Sequence, residues 1–161
     1  MATRIPLVIV AGQIEQLQAG DSIVVPASQY DNRVATNGES STALTAGMVV
    51  YPSAAGAIKR AQANALSTSG AVGIVMDTSI AASSSGNYAA GGVATATTTQ
   101  WDAVAGTTGG LVYNTLYFLD PANPGKMTAT APSTTGQVVQ PLGRALSTTE
   151  FEIDIGPSIL L

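Results

Sequence analysis

The chain has 161 residues, of which only 10% are charged and none is cysteine or histidine, and its formal net charge at pH 7 is −4. This length suits a single domain with a substantial core, while the low charge excludes a coiled coil and a charged disordered tail. The missing residue types exclude disulfides, thiolate metal sites and Ser–His or Cys–His catalysis. Six basic side chains, with one adjacent pair at Lys59 and Arg60, are too few for direct nucleic-acid binding.

The N-terminal segment begins with an apolar run that favours a β-strand. Residues 5–10 read IPLVIV, and Pro6 restricts such a strand to a sheet edge or an extended arm. The run is too short for the apolar region of a signal peptide, and no run approaches the ~20 residues of a membrane span. We expect residues 1–20 to form an N-terminal arm or edge strand, and the chain to be soluble, unprocessed and free of membrane contact.

Glycine and proline divide the rest of the chain into short β-branched or alternating segments. A strand is predicted at residues 22–25 and a polar loop at residues 27–43. From there on, short strands recur about every 8–12 residues, as in β-sandwiches and barrels. They are predicted at residues 48–51, 57–61, 71–76, 92–99, 100–104, 111–113, 116–119, 126–129, 138–139, 142–146 and 150–155.

These elements predict one all-β domain over residues 1–161, a compact sandwich or barrel-like domain of many short strands with an extended N-terminal arm. Residues 44–155 form its β core, and residues 156–161 form a C-terminal tail. A faint internal repeat relates residues 51–73 to residues 118–143, with glycines at 56 and 73 in one copy and at 125 and 143 in the other. The repeat indicates either a duplicated β-unit or only the high frequency of glycine and hairpins.

No group of residues in the sequence predicts catalysis or metal binding. Glu150, Glu152 and Asp154 alternate with apolar residues, so three carboxylates share one face of a strand. Same-face residues lie ~6.8 Å apart, which favours a solvated face over a calcium site. The other acids are dispersed, without the paired carboxylates of a glycosidase. We predict that the protein is not an enzyme and has no catalytic residues, no metal site and no cofactor.

The aromatic residues leave two interpretations open. Tyr113, Tyr117 and Phe118 lie within six residues and form either a core cluster or a patch that faces carbohydrate or a protein partner. Trp101 is predicted to be a core residue beside a turn, and the glycine-rich residues 106–110 lack the lysine of a phosphate-binding loop and predict that turn.

Two stretches of the chain resemble virion proteins of tailed bacteriophages. Residues 4–21 read RIPLVIVAGQIEQLQAGD, which is similar to the opening of many such proteins. Residues 117–147 contain YFLDP, PGKMT and GQVVQPLGRALS, which are similar to a module that recurs in phage structural proteins and appendages. The resemblance implies a non-enzymatic β-domain that is either a head decoration (cement) protein or part of a tail fibre or spike.

Length favours the decoration protein, because fibres are usually long chains with repeats whereas this chain is one compact domain. A tail fibre or spike component and a carbohydrate-binding β module remain the alternatives. The resemblance also implies that the protein is made in the bacterial host cytoplasm and lies on the outer surface of the capsid. It implies the major capsid protein as partner, or other tail or fibre proteins, and a homotrimer as the working form.

A decoration protein holds shell subunits together against packaged DNA, and an apolar arm can do this by adding a strand to a neighbour's sheet edge. The final three residues either contact a partner surface or fold back on the domain's own core. The candidate partner-binding residues are therefore the apolar ones at both ends of the chain: Ile5, Pro6, Leu7, Val8, Ile9, Val10, Ile159, Leu160 and Leu161.

Overall fold

The computed structural model describes residues 7–10 and 13–16 as backbone and residues 30–161 with their side chains. These residues are mostly in strands, with one short helix, so the all-β class is confirmed. The elements are β1 (Leu7–Val10), β2 (Gln13–Gln16), β3 (Tyr30–Asn37), β4 (Leu44–Thr45), β5 (Val49–Ala54), β6 (Ala57–Arg60), β7 (Gly73–Val75), β8 (Ser79–Ile80), β9 (Ser85–Thr95), α1 (Thr98–Ala105), β10 (Leu116–Leu119), β11 (Met127–Thr128), β12 (Val138–Val139), β13 (Pro141–Ala145), β14 (Glu150–Ile153) and β15 (Ile159–Leu160).

Five strands close into a small barrel. The ring runs β9–β3–β6–β5–β7 and returns to β9, with every pairing antiparallel except β3–β6. Closure occurs at Tyr88 and Ala89 of β9, which pair with β3 on one edge and with β7 on the other. The second half of β9 pairs with β14, and the sheet then continues through β13 and β10 to β11. Three two-stranded sheets, β1–β2, β4–β8 and β12–β15, complete the described strands.

The barrel strands separate two apolar cores. The smaller core fills the ring and contains Ala35, Leu44, Val50, Ile58, Val75 and Ile80. The larger core lies between the outside of the barrel, the sheet extension and α1, and Trp101 and Phe151 are at its centre. Val49 belongs to the larger core although its neighbour Val50 belongs to the smaller one. All three residues of β7 and the first two of β5, Val49 and Val50, are buried, so these segments read as continuous apolar runs instead of alternating strands.

The two halves of the predicted repeat have the same connectivity. In the first, β5 lies between β6 and β7, and in the second, β10 lies between β11 and β13, with all four pairings antiparallel. Gly56 and Gly125 both adopt a positive φ, of 72° and 78°, between the first two strands of each unit. At Gly73 and Gly143 a Cβ would overlap a backbone carbonyl oxygen of the neighbouring strand in the sheet, β9 and β14 respectively. The matched strands and glycines support a duplicated β-unit.

The prediction of a strand at residues 100–104 is wrong, because these residues lie in α1. Thr97 is the N-cap: its side chain accepts a hydrogen bond from the Gln100 N–H, while the Gln100 side chain accepts one from the Thr97 N–H. This reciprocal capping box and the left-handed Gly106 at the C-terminus fix both ends of the helix. Trp101 and Val104, three residues apart, are the buried side chains of α1.

The loop predicted at residues 27–43 is wrong for residues 30–37, which form β3. This strand has little apolar alternation, since backbone pairing with β9 holds it and half of its side chains are exposed. Its last residue, Asn37, is fully buried and donates hydrogen bonds to the carbonyls of Thr42 and Ile80 at 2.9 Å each. The sheet thus begins before the residues 44–155 assigned to the β core. Residues 111–113, also predicted as a strand, lie outside the strands.

The close approach at Gly143 predicts a strongly position-dependent response to alanine. Gly143→Ala should lower the free energy of unfolding by about 3 kcal/mol or more, because the new Cβ overlaps the Glu152 carbonyl and φ is 144°. Gly91→Ala is the matched control, since a Cβ there meets nothing within 4 Å, and it should change stability by less than about 0.5 kcal/mol. Urea unfolding measures both, and equal losses would contradict this account.

Candidate interaction surface

The C-terminal tail is fastened to the domain by its backbone. Strand β15 pairs antiparallel with β12, so that Val139 faces Ile159 and Val138 faces Leu160. Beyond the strand, the Leu161 N–H donates to the Gln137 carbonyl, and the Leu161 carbonyl accepts from Gly136, both at 2.9 Å. The tail therefore does fold back on its own domain, which was one of the two possibilities for these residues.

The side chains of the tail nevertheless stay in solvent. Ile159, Leu160 and Leu161 are 55%, 51% and 43% exposed. Gln140, itself buried, fixes the start of the tail: its side chain donates to the Gly156 carbonyl and accepts from two N–H groups just before β7. We call these three exposed residues the C-terminal patch. Because the backbone of this patch is already ordered, a partner that binds there loses little conformational entropy of the tail.

The N-terminal candidates divide between described and undescribed residues. Ile5 and Pro6 lie outside the described residues. Leu7, Val8, Ile9 and Val10 form β1, so the predicted strand is confirmed over these four residues. Strand β1 pairs antiparallel with β2 in a hairpin, Leu7 opposite Gln16 and Val10 opposite Gln13. Within the described residues this hairpin pairs with no other strand.

The aromatic trio predicted as one cluster is divided by the structure. Tyr117 is fully buried, packs edge-on against Phe151 at 6.0 Å, and its hydroxyl accepts from the Val112 N–H. Phe118 is half-buried, whereas Tyr113 is 73% exposed. Trp101, fully buried and hydrogen-bonded to the Thr149 carbonyl, is the core residue expected from the sequence. Tyr117 and Phe118 thus belong to or border the core, and Tyr113 alone of the three projects outward.

Tyr113 is part of a second exposed apolar group, which we call the β10 patch: Val112, Tyr113, Leu116 and Leu146. The Asn114 N–H donates to the Ala145 carbonyl, and Arg144 donates to Asn114 in return, which places this patch at the C-terminal end of β13. The C-terminal tail begins at the other end of β13, where the Gly156 N–H donates to the Pro141 carbonyl. The two patches are therefore separated by the length of β13.

The acidic residues on β14 are arranged as the sequence indicated. Phe151 and Ile153 are buried, while Glu152 and Asp154 are exposed. Among residues 7–10, 13–16 and 30–161, no three Asp, Glu, His or Cys side chains lie close enough to hold a metal ion. Asp102 has a local role instead: hydrogen bonds from the N–H groups of Gly110 and Gly109 and from the Thr107 hydroxyl fix the turn after α1 and lower the pKa of its carboxyl.

A groove at one end of the barrel was not predicted from the sequence. It has a volume of about 200 Å³ and lies between β3, the tip of the β5–β6 hairpin and the middle of β9. Its lining includes Val34, Pro52, Ala57, Val72 and Tyr88, with Arg33 at the side. These residues are distant in sequence, and only the ring closure brings them together.

One partly buried ion pair connects the start of the loop after β3 to β6. The Arg60 Nε lies 3.0 Å from the Glu39 carboxylate, which also accepts from the Arg60 N–H at 3.2 Å. Burial opposes ionisation of Glu39, but these hydrogen bonds and the charge of Arg60 outweigh it, so the pKa of the Glu39 carboxyl lies below its ordinary value. The ionised pair therefore stabilises the folded state.

A comparison of the chain with protein-family models, with curated proteins and with solved structures found no match in any of the three. The one helix in the described part of the chain, α1, has eight residues, and no described helix has the length and apolar character needed to cross a bilayer.

The Glu39–Arg60 pair predicts a specific acid sensitivity. Because the folded pKa of Glu39 is lowered, its contribution is complete above about pH 5 and is lost as the pH falls through the folded value. Glu39→Gln should lower the free energy of unfolding by about 1–2 kcal/mol at pH 7, and this deficit should be smaller at pH 3.

Urea unfolding of wild type and variant at both pH values measures this difference. Glu152→Gln, which changes an exposed carboxyl on β14, is the matched control and should show little loss at either pH. A Glu39→Gln deficit that is the same at pH 3 and pH 7 would contradict an ionic origin.

Proposed function

We propose that the protein is a non-enzymatic structural protein of a tailed-bacteriophage virion. It decorates the outer surface of the capsid, binds the major capsid protein and stabilises the head, and it works as a homotrimer. The resemblance of residues 4–21 and 117–147 to phage virion proteins supports this assignment. The exposed apolar surfaces of the domain are of the kind that such a protein needs.

The observation that carries the proposal is the C-terminal patch. Three consecutive apolar side chains, with Ile159 and Leu160 on opposite faces of β15, are held in solvent by a backbone that is paired with β12. A flexible apolar tail could collapse onto its own domain, but a paired strand cannot turn these side chains inward without breaking its hydrogen bonds. Apolar side chains grouped in this way mark a contact surface for another protein.

The composition is consistent with a subunit that is surrounded by neighbours. With ten acidic and six basic residues in the chain, few ion pairs are available for an interface, so its binding energy must come from apolar burial and backbone pairing. Both ends of the chain are suited to these interactions, since β1 is an uncharged strand and the C-terminal patch is entirely apolar.

One of the two alternative roles is separated from this one by a single experiment. Electron microscopy of particles with and without the protein should show regular knobs over the shell when it is present. A loss of protruding filaments in its absence would instead identify a tail fibre or spike component. A carbohydrate-binding module generally presents aromatic platforms, whereas Tyr113 is the one strongly exposed aromatic side chain among residues 30–161.

Substitution of the C-terminal patch should release the protein from particles without unfolding it. Ile159→Asp places a charge in the proposed contact and should weaken attachment by about tenfold or more, since burying an unpaired charge costs several kcal/mol. Val112→Asp is the matched control, because Val112 is 57% exposed and lies in the β10 patch at the far end of β13.

Co-sedimentation with particles that lack the protein measures attachment, and thermal melting of the free variants checks the fold. Loss of attachment by Val112→Asp, with retention by Ile159→Asp, would move the contact to the β10 patch and contradict the assignment made here.

Attachment should resist salt and fail in guanidinium. Exposed ion pairs contribute about 0–1 kcal/mol and are screened, whereas apolar burial contributes about 25 cal/mol per Å² and persists in moderate salt. Particles titrated with sodium chloride to about 1 M should keep the protein, and guanidinium should release it below its own unfolding midpoint. Quantitative release by a few tenths molar salt would show that the contact is electrostatic.

A further inference from the structure

Strand β3 has one paired edge and one edge that is mostly open. Along β9 it pairs over its whole length, but along β6 it pairs only at Thr36 and Asn37. The Thr36 N–H donates to Gly56 on the β6 side, while the Asn37 N–H donates to Ser84 on the β9 side. Because backbone groups alternate along a strand, the N–H and C=O groups of Asn32 and Val34 point to the β6 side, beyond the end of β6.

The barrel groove lies directly beside this open edge. Val34, which is 67% exposed, lines the groove together with Pro52 and Ala57. An apolar cavity of about 150 Å³ holds a benzene molecule, so a groove of about 200 Å³ has room for at least one aliphatic side chain. Arg33 is already paired with Asp31 at 3.0 Å, so the rim carries no net charge. An uncharged strand fits this site.

The chain itself contains such a strand. β1 is four uncharged apolar residues, and within the described residues it pairs only with β2, which leaves its other edge without a partner strand. An isolated two-stranded hairpin is marginally stable in water and gains from a third strand. Thirteen residues, 17–29, separate β2 from the start of β3 and can reach at most about 45 Å.

We propose that the open edge of β3 and the barrel groove receive strand β1 from a second copy of this chain. The edge supplies the backbone donors and acceptors of Asn32 and Val34, and alternate side chains of β1 enter the groove. Each copy then gives one strand and receives one. Such a head-to-tail contact closes into a ring when the rotation between copies permits, as a homotrimer requires.

The absence of cysteine from the chain makes a cross-linking test direct. Four single-cysteine variants are prepared in β1: Leu7→Cys, Val8→Cys, Ile9→Cys and Val10→Cys. Each variant is mixed with a copy that carries Val34→Cys, and the mixture is oxidised. Disulfide-linked pairs should form at alternate positions only, since side chains of a strand alternate between faces. Their yield should exceed by about tenfold that of the same copies mixed with Tyr113→Cys, which lies outside the groove, because docking raises the local thiol concentration.

Chains that carry both a β1 cysteine and Val34→Cys show whether the docked β1 strand comes from the same chain or from a second copy. If β1 docks on its own β3, the bond forms within one chain and the wild type is a monomer, which would overturn the proposal. Absence of any linkage above the Tyr113→Cys control would overturn it as well. Equal linkage at all four positions would indicate random collision instead of a docked strand, and the proposal would again be wrong.

Proline substitution tests the edge independently. Val34→Pro removes the N–H that points to the open edge and leaves the hydrogen bonds to β9 in place, so it should convert the oligomer to a monomer. Leu66→Pro is the control, since Leu66 is exposed, lies outside the groove lining, and is the second residue of a turn that the Thr68 N–H closes on the Ala65 carbonyl, a position that accepts proline. Light scattering after gel filtration gives the mass, and retention of the oligomer by a folded Val34→Pro variant would overturn the proposal.

This inference rests on the homo-oligomer of the proposed function but not on the virion role. All of these measurements use free protein in solution. A monomeric wild type would therefore overturn the strand exchange, while particle binding by the C-terminal patch would still be decided by microscopy and co-sedimentation.

Discussion

The fold depends on β9, the one strand that belongs to both the barrel and the sheet extension. Its first half joins β3 to β7 and closes the barrel, and its second half pairs with β14 and starts the sheet extension. A strand between two cores leaves little room for side chains, and β9 accordingly reads SGNYAAGGVAT. A Cβ at Gly86 would overlap the side chain of Ile80 inside the barrel. The high alanine and glycine content of the chain follows in part from this crowding.

The same closure makes the domain a rigid support for its surfaces. Because β7 and the start of β5 contribute residues to both cores, neither segment can move without opening a core. The C-terminal tail joins this support through Gln140, whose buried side chain contacts both Gly156 and the residues before β7. Interaction surfaces on such a scaffold bind without first being ordered, which favours affinity.

Local signals in the sequence predicted part of this structure well. The β5–β6 hairpin and strands β7, β10 and β14 were predicted because each combines an apolar run with a glycine or polar boundary. Helix α1 was missed although Thr97 and Gln100 have the spacing of a capping box, because only one pair of buried residues, Trp101 and Val104, follows it. Strand β3 was missed because it is held by backbone pairing and not by an apolar face.

The interaction surfaces were harder to predict, because they depend on pairing between segments that are distant in sequence. That Ile159–Leu160 would pair with the earlier segment Val138–Val139 could not be read from either segment. The groove is formed by residues from β3, β5, β6 and β9 and the segment before β7, none of which has a distinctive motif. The apolar ends of the chain were recognisable as candidates, but which of their groups would be backbone-paired and which exposed depended on contacts distant in sequence.

The open edge of β3 and the C-terminal patch each include an unpaired strand edge, but the two surfaces fit different kinds of partner. Proteins usually protect such edges with lysine, proline or a covering loop, yet Ile159 and Leu160 of β15 carry no charge, and the charges near the open edge of β3 neutralise each other as an Asp31–Arg33 pair. At β3, a partner that covered the backbone of Asn32 and Val34 without supplying hydrogen bonds to it would leave polar groups unpaired. Only an extended strand supplies hydrogen bonds to all of these backbone groups. The C-terminal patch presents side chains above all, and an apolar hollow on a folded neighbour covers it equally well.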